Sequence, residues 1–183
     1  LFPYTTLFRS DDSQLCFSSE EMYRQIESYI VDNIGEKGSS RFVIAPDDTP
    51  YACTCASCTA MGNTEKNATP AVTELLLRLS QRFPKHSFFT ISYLSTKQVT
   101  DKQLPSNAGI IVSAIDFPLR RIDGKNAQEK KFMQQLNQWK KVTKNIYIWD
   151  YINNFDDYLT PFPILKIAQQ RLRFFKQNAA SGI

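Results

Sequence analysis

The stretch Thr69–Leu94, TPAVTELLLRLSQRFPKHSFFTISYL, carries a helix, a stop and a strand in immediate succession. Thr69 and Pro70 supply an N-cap and a first helical residue, because proline fixes φ near its helical value and has no N–H to lose at that position. Val72, Leu75, Leu76, Leu79 and Phe83 then recur at helical spacing until Pro84 ends the run. Ser87–Leu94 (SFFTISYL) is short and rich in aromatic and β-branched residues, the pattern of a strand.

The same alternation extends both ways. Upstream, Gln14–Phe17 is a short apolar piece, and Ser18 with Glu21 forms a capping box ahead of Met22, Ile26, Tyr29, Ile30 and Ile34, a helix that Gly35 closes. Arg41–Ala45 (RFVIA) reads as a strand, followed by Pro46, Asp47, Asp48 and a long loop with three cysteines. Downstream, Ile110–Ile115 (IIVSAI) ends at Asp116, and Phe132, Leu136, Trp139 and Val142 mark a helix face. Ile146–Tyr151 (IYIWDY) is the next strand, and Pro161 and Pro163 open a helix with Ile164, Ile167, Ala168, Leu172 and Phe175.

Strands that are apolar at successive positions are buried on both faces, and the helices between them are long enough for right-handed crossovers. The chain therefore reads as a parallel α/β array. An open doubly wound sheet and part of a (β/α)8 barrel both fit. The 6 glycines form neither GxGxxG nor GxxxxGK, which weighs against a nucleotide-binding doubly wound sheet. Polar and aromatic residues fall just after the strands, where a barrel gathers its active site, so the expected fold is a partial TIM-type (β/α)8 barrel.

The 183 residues are 42% hydrophobic, enough for the core of one or at most two domains, and this excludes a disordered or fibrous chain. Twenty-two basic residues against 18 acidic ones, spread along the chain in runs no longer than pairs such as Lys130-Lys131, are too diffuse for a nucleic-acid footprint. No apolar run approaches the ~20 residues of a membrane span, and no signal peptide opens the sequence. Leu1–Ser10 (LFPYTTLFRS) resembles the in-frame translation of a sequencing adapter of the kind left at the ends of genes assembled from environmental DNA. Residues 1–10 are therefore expected to lie outside the fold, and residues 11–183 to form an incomplete barrel domain of a polypeptide that begins upstream.

QLCFSSEEM before the first helix, PDD followed by CTCASC after a strand, and WDYINNF with PFP beyond it resemble a large bacterial family, domain of unknown function 4838, from about Gln14 onward. This chain differs from the family pattern in having Thr49 rather than glycine after Asp48. The resemblance implies a glycoside hydrolase-like barrel, similar to those of hexosaminidases and α-glucuronidases, in a secreted or periplasmic protein that handles an oligosaccharide or polysaccharide.

On that expectation the strand-end acids are the candidate catalytic residues. A glycosidase needs one carboxylic acid to protonate the leaving oxygen and a second carboxylate as nucleophile or base. Asp48 is the proposed acid, Asp150 or Asp116 its partner, and Asp47 a further candidate; each could equally cap its own turn or accept bonds from loop amides. Tyr93, Trp149, Tyr151 and Asn154 are candidate substrate-binding residues, since an aromatic face gives a pyranose ring apolar contact. Alternation puts Trp149 and Tyr151 on the side of the strand opposite Asp150. The competing readings are a catalytically silent carbohydrate-binding barrel and, behind it, a thiol-metal module.

Cys53, Cys55 and Cys58 form C-x-C-x-x-C, and Cys16 lies far upstream. A structural zinc site usually draws on two CxxC-like pairs, so the pattern is read first as thiol packing or a disulfide, such as Cys53 or Cys55 with Cys58, and only then as metal. No metal ligand and no cofactor are assigned. His86, the only histidine, precedes its strand and so belongs to the face away from a barrel's active site.

Overall fold

Helices and strands alternate in a computed structural model that describes residues 14–152, 159, 164–178 and 180–183. They are α1 (Glu20–Asn33), β1 (Arg41–Val43), the short α2 (Ala56–Ala60), α3 (Thr69–Arg82), β2 (Ser87–Ser92), β3 (Ala108–Ser113), α4 (Ala127–Trp139), β4 (Ile146–Trp149) and α5 (Leu165–Gln177). Residues 1–10, Asn154, Pro161 and Pro163 lie outside the described residues.

The four strands form one sheet in the order β1-β2-β3-β4, all neighbours parallel. The register aligns Phe42 with Phe88, Thr90 with Ile110 and Val112 with Ile148, so one face carries Phe42, Phe88, Ile110, Val112, Ile146 and Ile148. Every long helix packs on that face. Ile26 and Ile30 of α1 and Val72, Leu75, Leu76 and Leu79 of α3 form a core with Phe83 and Phe88. Phe132, Leu136 and Trp139 of α4 and Phe175 of α5 form a second core with Ile110, Val112, Ile146 and Ile148. The Trp139 indole and the Gln135 amide both donate to the Ser92 hydroxyl, at 3.1 and 2.8 Å, and so tie α4 to β2.

The opposite face carries Val43, Phe89, Ile91, Ile111, Tyr147 and Trp149, and none of them belongs to either helix-packed core. Phe89 meets Tyr147 edge to face at 5.3 Å across Gly109, where a Cβ would lie 2.6 Å from the Phe89 ring and closer still to the Asn145 carbonyl. Doubly wound sheets put helices on both faces and reverse strand order at a switch point, whereas here the order is sequential and the helices share one face. This is the expected mixed α/β array, and it is compatible with part of a TIM-type barrel whose interior is the helix-free face.

Three local readings shift. The cap of α1 is Ser19, whose hydroxyl accepts from the Met22 amide at 3.3 Å, and not Ser18. Thr69 is the first residue of α3 with Ala68 at the cap position; its amide goes to Asn67 Oδ1 at 3.1 Å and its hydroxyl to the Gln98 carbonyl at 2.9 Å. On α5 the buried stripe is Arg171 and Phe175, while Leu172 is exposed. His86 is fully buried between Phe42 and Phe83, with the Ser40 amide donating to Nδ1 at 3.1 Å and Nε2 donating to the Gly35 carbonyl at 2.9 Å.

Candidate functional site

Because the strands are parallel, their C-terminal ends share one edge of the sheet, and the segments that leave them carry the candidate residues. After β1 the chain passes through Asp47 and Asp48. Gln14, fully buried, holds this turn: its Oε1 accepts from the Asp47 amide at 3.0 Å and the Leu15 amide at 2.9 Å, and its Nε2 donates to the Tyr51 carbonyl at 3.0 Å. The Thr49 amide donates to the Asp47 carbonyl at 2.8 Å, so the turn closes through the backbone. Asp47 is half-buried and Asp48 exposed.

Tyr93 leaves β2 beside Asp48. Burial raises the phenol above its ordinary range, and the neighbouring Asp48 carboxylate raises it further, with smaller contributions from Tyr151 and Asp116. Residues that follow the other three strands thus act electrostatically on Tyr93. Its backbone is fixed from the far side: Leu94 has φ 43°, the left-handed region that costs a leucine about 1 kcal/mol, and the Thr96 hydroxyl reaches the carbonyls of Ile91 and Tyr93. Asp116, after β3, is exposed and paired with Lys97 at 2.7 Å. Trp149 ends β4 on the helix-free face, opposite Ser113, and is 51% exposed.

Asp150 turns the other way. It continues the parity of Ile146 and Ile148, so its side chain falls on the helix-covered face, where the buried guanidinium of Arg171 takes it in two prongs, the Nε–Oδ2 contact measuring 2.9 Å. Arg171 also donates to the carbonyls of Phe117 and Pro118, at 3.1 and 2.9 Å. The Asp150 carboxylate is thereby an anchor for α5, and the sequence signal for it was Arg171 one helical turn before Phe175, a polar residue on an apolar stripe. Tyr151, beside it, stays with the Tyr93 group.

The loop after β1 has a second cluster. Cys16, Cys53, Cys55 and Cys58 place their four sulfurs within 4.8 Å of one another. Cys55 caps α2, its sulfur 3.5 Å from the Cys58 amide, and Asn63 fastens the loop by donating to the Cys53 carbonyl at 3.0 Å and accepting from the Ala71 amide at 3.0 Å. Ser18, released from helix capping, puts its hydroxyl 3.0 Å from the Cys58 sulfur and 3.4 Å from that of Cys16. The Cys58 hydrogen bond, with help from Ser18, lowers the Cys16 thiol to about 4, and the same pairing pushes Cys58 up. Burial raises Cys55, but the Cys58 amide and the Ser18 hydroxyl outweigh it and leave the thiol lowered. None of the four is joined in a disulfide. The spacing of Cys53, Cys55 and Cys58 was visible in sequence; that Cys16 completes the group was not, because a whole helix and strand separate them.

No helix among the described residues is long and apolar enough to cross a membrane. No curated protein and no solved structure matches the chain. The model of one family, Domain of unknown function (DUF4838), matches residues 4–183, and with nearly its whole length covered the chain belongs to that family.

Proposed function

We propose that the strand-end edge is a carbohydrate site and that the protein acts on a glycosidic bond there, with Asp48 as its principal carboxylate. The observation that carries this reading is the grouping of Tyr93 with Asp48, Asp116 and Tyr151 at the strand-end edge, with the exposed Trp149 on the adjoining face. Carboxylates that accept from sugar hydroxyls beside an aromatic plane for the ring are the elements a pyranose needs. A glycosidase needs one carboxyl group to protonate the leaving oxygen and a second carboxylate as nucleophile or base, and Asp48 is proposed as the acid. With Asp150 engaged by Arg171, Asp116 is the second carboxylate of the pair.

Hydrolysis is tested by incubating the chain with a panel of oligosaccharides and measuring new reducing ends, alongside calorimetric binding. Asp48→Asn should abolish turnover and leave sugar affinity within a few-fold, since the amide keeps the shape and loses the acidic proton. Retained turnover overturns the role of Asp48. The pairing of Asp116 with Lys97 favours a second reading, a silent binding site, and sugar binding without turnover in the unaltered chain would establish it.

A further inference from the structure

We infer that Cys16, Cys53, Cys55 and Cys58 hold one zinc ion in a closed, structural site. A tetrahedral ion with Zn–S bonds of about 2.3 Å requires sulfur–sulfur edges of about 3.8 Å. The Cys16–Cys55 and Cys16–Cys58 edges are 3.7 and 3.8 Å, and no edge exceeds 4.8 Å. A disulfide joins sulfurs in pairs at about 2.05 Å, whereas here the Cys16 sulfur is equally near two others and no pairing is singled out. Mutual proximity of all four is the requirement of a shared central ligand.

The surroundings agree. Apolar packing would put methyl and methylene groups between the thiols, yet the Ser18 hydroxyl stands 3.0 Å from the Cys58 sulfur. That hydroxyl and the Cys58 amide, 3.5 Å from the Cys55 sulfur, are hydrogen-bond donors of the kind that offset the excess negative charge of four thiolates around a divalent ion. Cys53 and Cys58 are 1% and 0% exposed, so half the shell is closed to water. Cys16 and Cys55 face partly outward and leave a path for the ion to enter. An all-sulfur set selects zinc or iron over magnesium and calcium, and zinc is assigned because nothing in the proposed chemistry calls for electron transfer.

With four protein thiolates no position remains for water or substrate, so the ion's part is to join chain segments. It links the segment before α1 to the loop after β1, the loop that begins at Asp47 and Asp48. The inference stands apart from the sugar reading, because its readout is metal content.

The test uses the whole chain, purified under reducing conditions without chelator. Elemental analysis should find close to one zinc per chain. Replacement by Co2+ should give the sulfur-to-cobalt charge-transfer absorption in the near ultraviolet and the intense visible bands of a tetrahedral all-sulfur site. Cys16→Ser should weaken zinc binding at least tenfold in competition with a chromophoric chelator, while Ser18→Ala keeps the stoichiometry. Should Cys16→Ser fail to fold, the cobalt spectrum of the unaltered chain decides the matter alone. A folded, metal-free chain with four reactive thiols, a disulfide found by mass spectrometry, bound iron, or a cobalt spectrum of mixed oxygen and sulfur ligands would each overturn the assignment.

Discussion

The sheet's two outer strands both end in segments that must be held to the same edge, and different chemistry holds each. After β1 the holding groups are many: Gln14 on the turn, four thiols and a hydroxyl in the loop, and arginine clasps between helices outside. Arg78 reaches Glu20 at 2.5 Å and lies 3.9 Å over the Tyr23 ring, while Arg82 spans Glu27 and Glu36. After β4, among the described residues, one residue makes the principal contacts. Arg171, fully buried, engages Asp150, two carbonyls, and the faces of Phe117 and Phe175 at 4.8 and 5.7 Å. Distributed contacts can be lost one at a time; a single buried hub cannot.

The comparison breaks most sharply at the hub. Arg171→Met leaves the Asp150 carboxylate, only 8% exposed, without a counter-charge, and should cost about 3–5 kcal/mol in chemical denaturation. Arg171→Met combined with Asp150→Leu should be milder than the single change, because no unpaired charge remains. A single-variant loss below about 1 kcal/mol would show that α5 is held by something else.

At the other end, two adjacent serines separate helix capping from thiol chemistry. Ser19→Ala should cost about 1 kcal/mol and leave thiol reactivity unchanged, since only the α1 cap is lost. Ser18→Ala should have a smaller effect on the melt but slow the alkylation of Cys16 in the metal-free chain, because the hydroxyl that helps to hold that thiol low is gone. Equal effects from both would contradict the division of labour between them.

The smallest effect belongs to the outer clasps. The Arg78 hydrogen bonds hold the Glu20 carboxyl below the usual carboxylate range, so the pair's contribution is present above about pH 4.3 and is lost as pH falls through the lowered value. Both partners are well exposed, which screens the interaction to less than about 0.5 kcal/mol. Glu20→Gln should therefore flatten the acid limb of the stability profile slightly and change nothing at neutral pH beyond that amount.

Where structure followed local chemistry, the sequence was readable. Thr69–Leu94 yielded its helix and strand because apolar spacing and Pro84 act within a few residues, and the parity of IYIWDY put Trp149 and Asp150 on opposite faces. What escaped depends on partners far along the chain. Arg171 breaks an apolar stripe for a carboxylate twenty-one positions earlier, so the helix reading favoured Leu172 instead. Ser18 fits a capping box as well as Ser19 does, and only the convergence of Cys16 with the later loop shows which serine the thiols require. Asp48 and Tyr93 were each visible as strand-end residues, but their juxtaposition depends on the β1–β2 register.

The sequential order of the strands also has a meaning in time. Each strand pairs with the one synthesised before it, so the sheet can grow by one unit at a time as the chain emerges. Cys16, α1, β1 and Cys53 to Cys58 all precede the first residue of β2, and the thiol group can therefore gather, shaping the Asp48 turn, before the Tyr93 that later stands beside it exists. Asp150 has the opposite history: its guanidinium partner arrives only with α5, so the docking of that helix is also the event that neutralises a carboxylate about to be sealed from water.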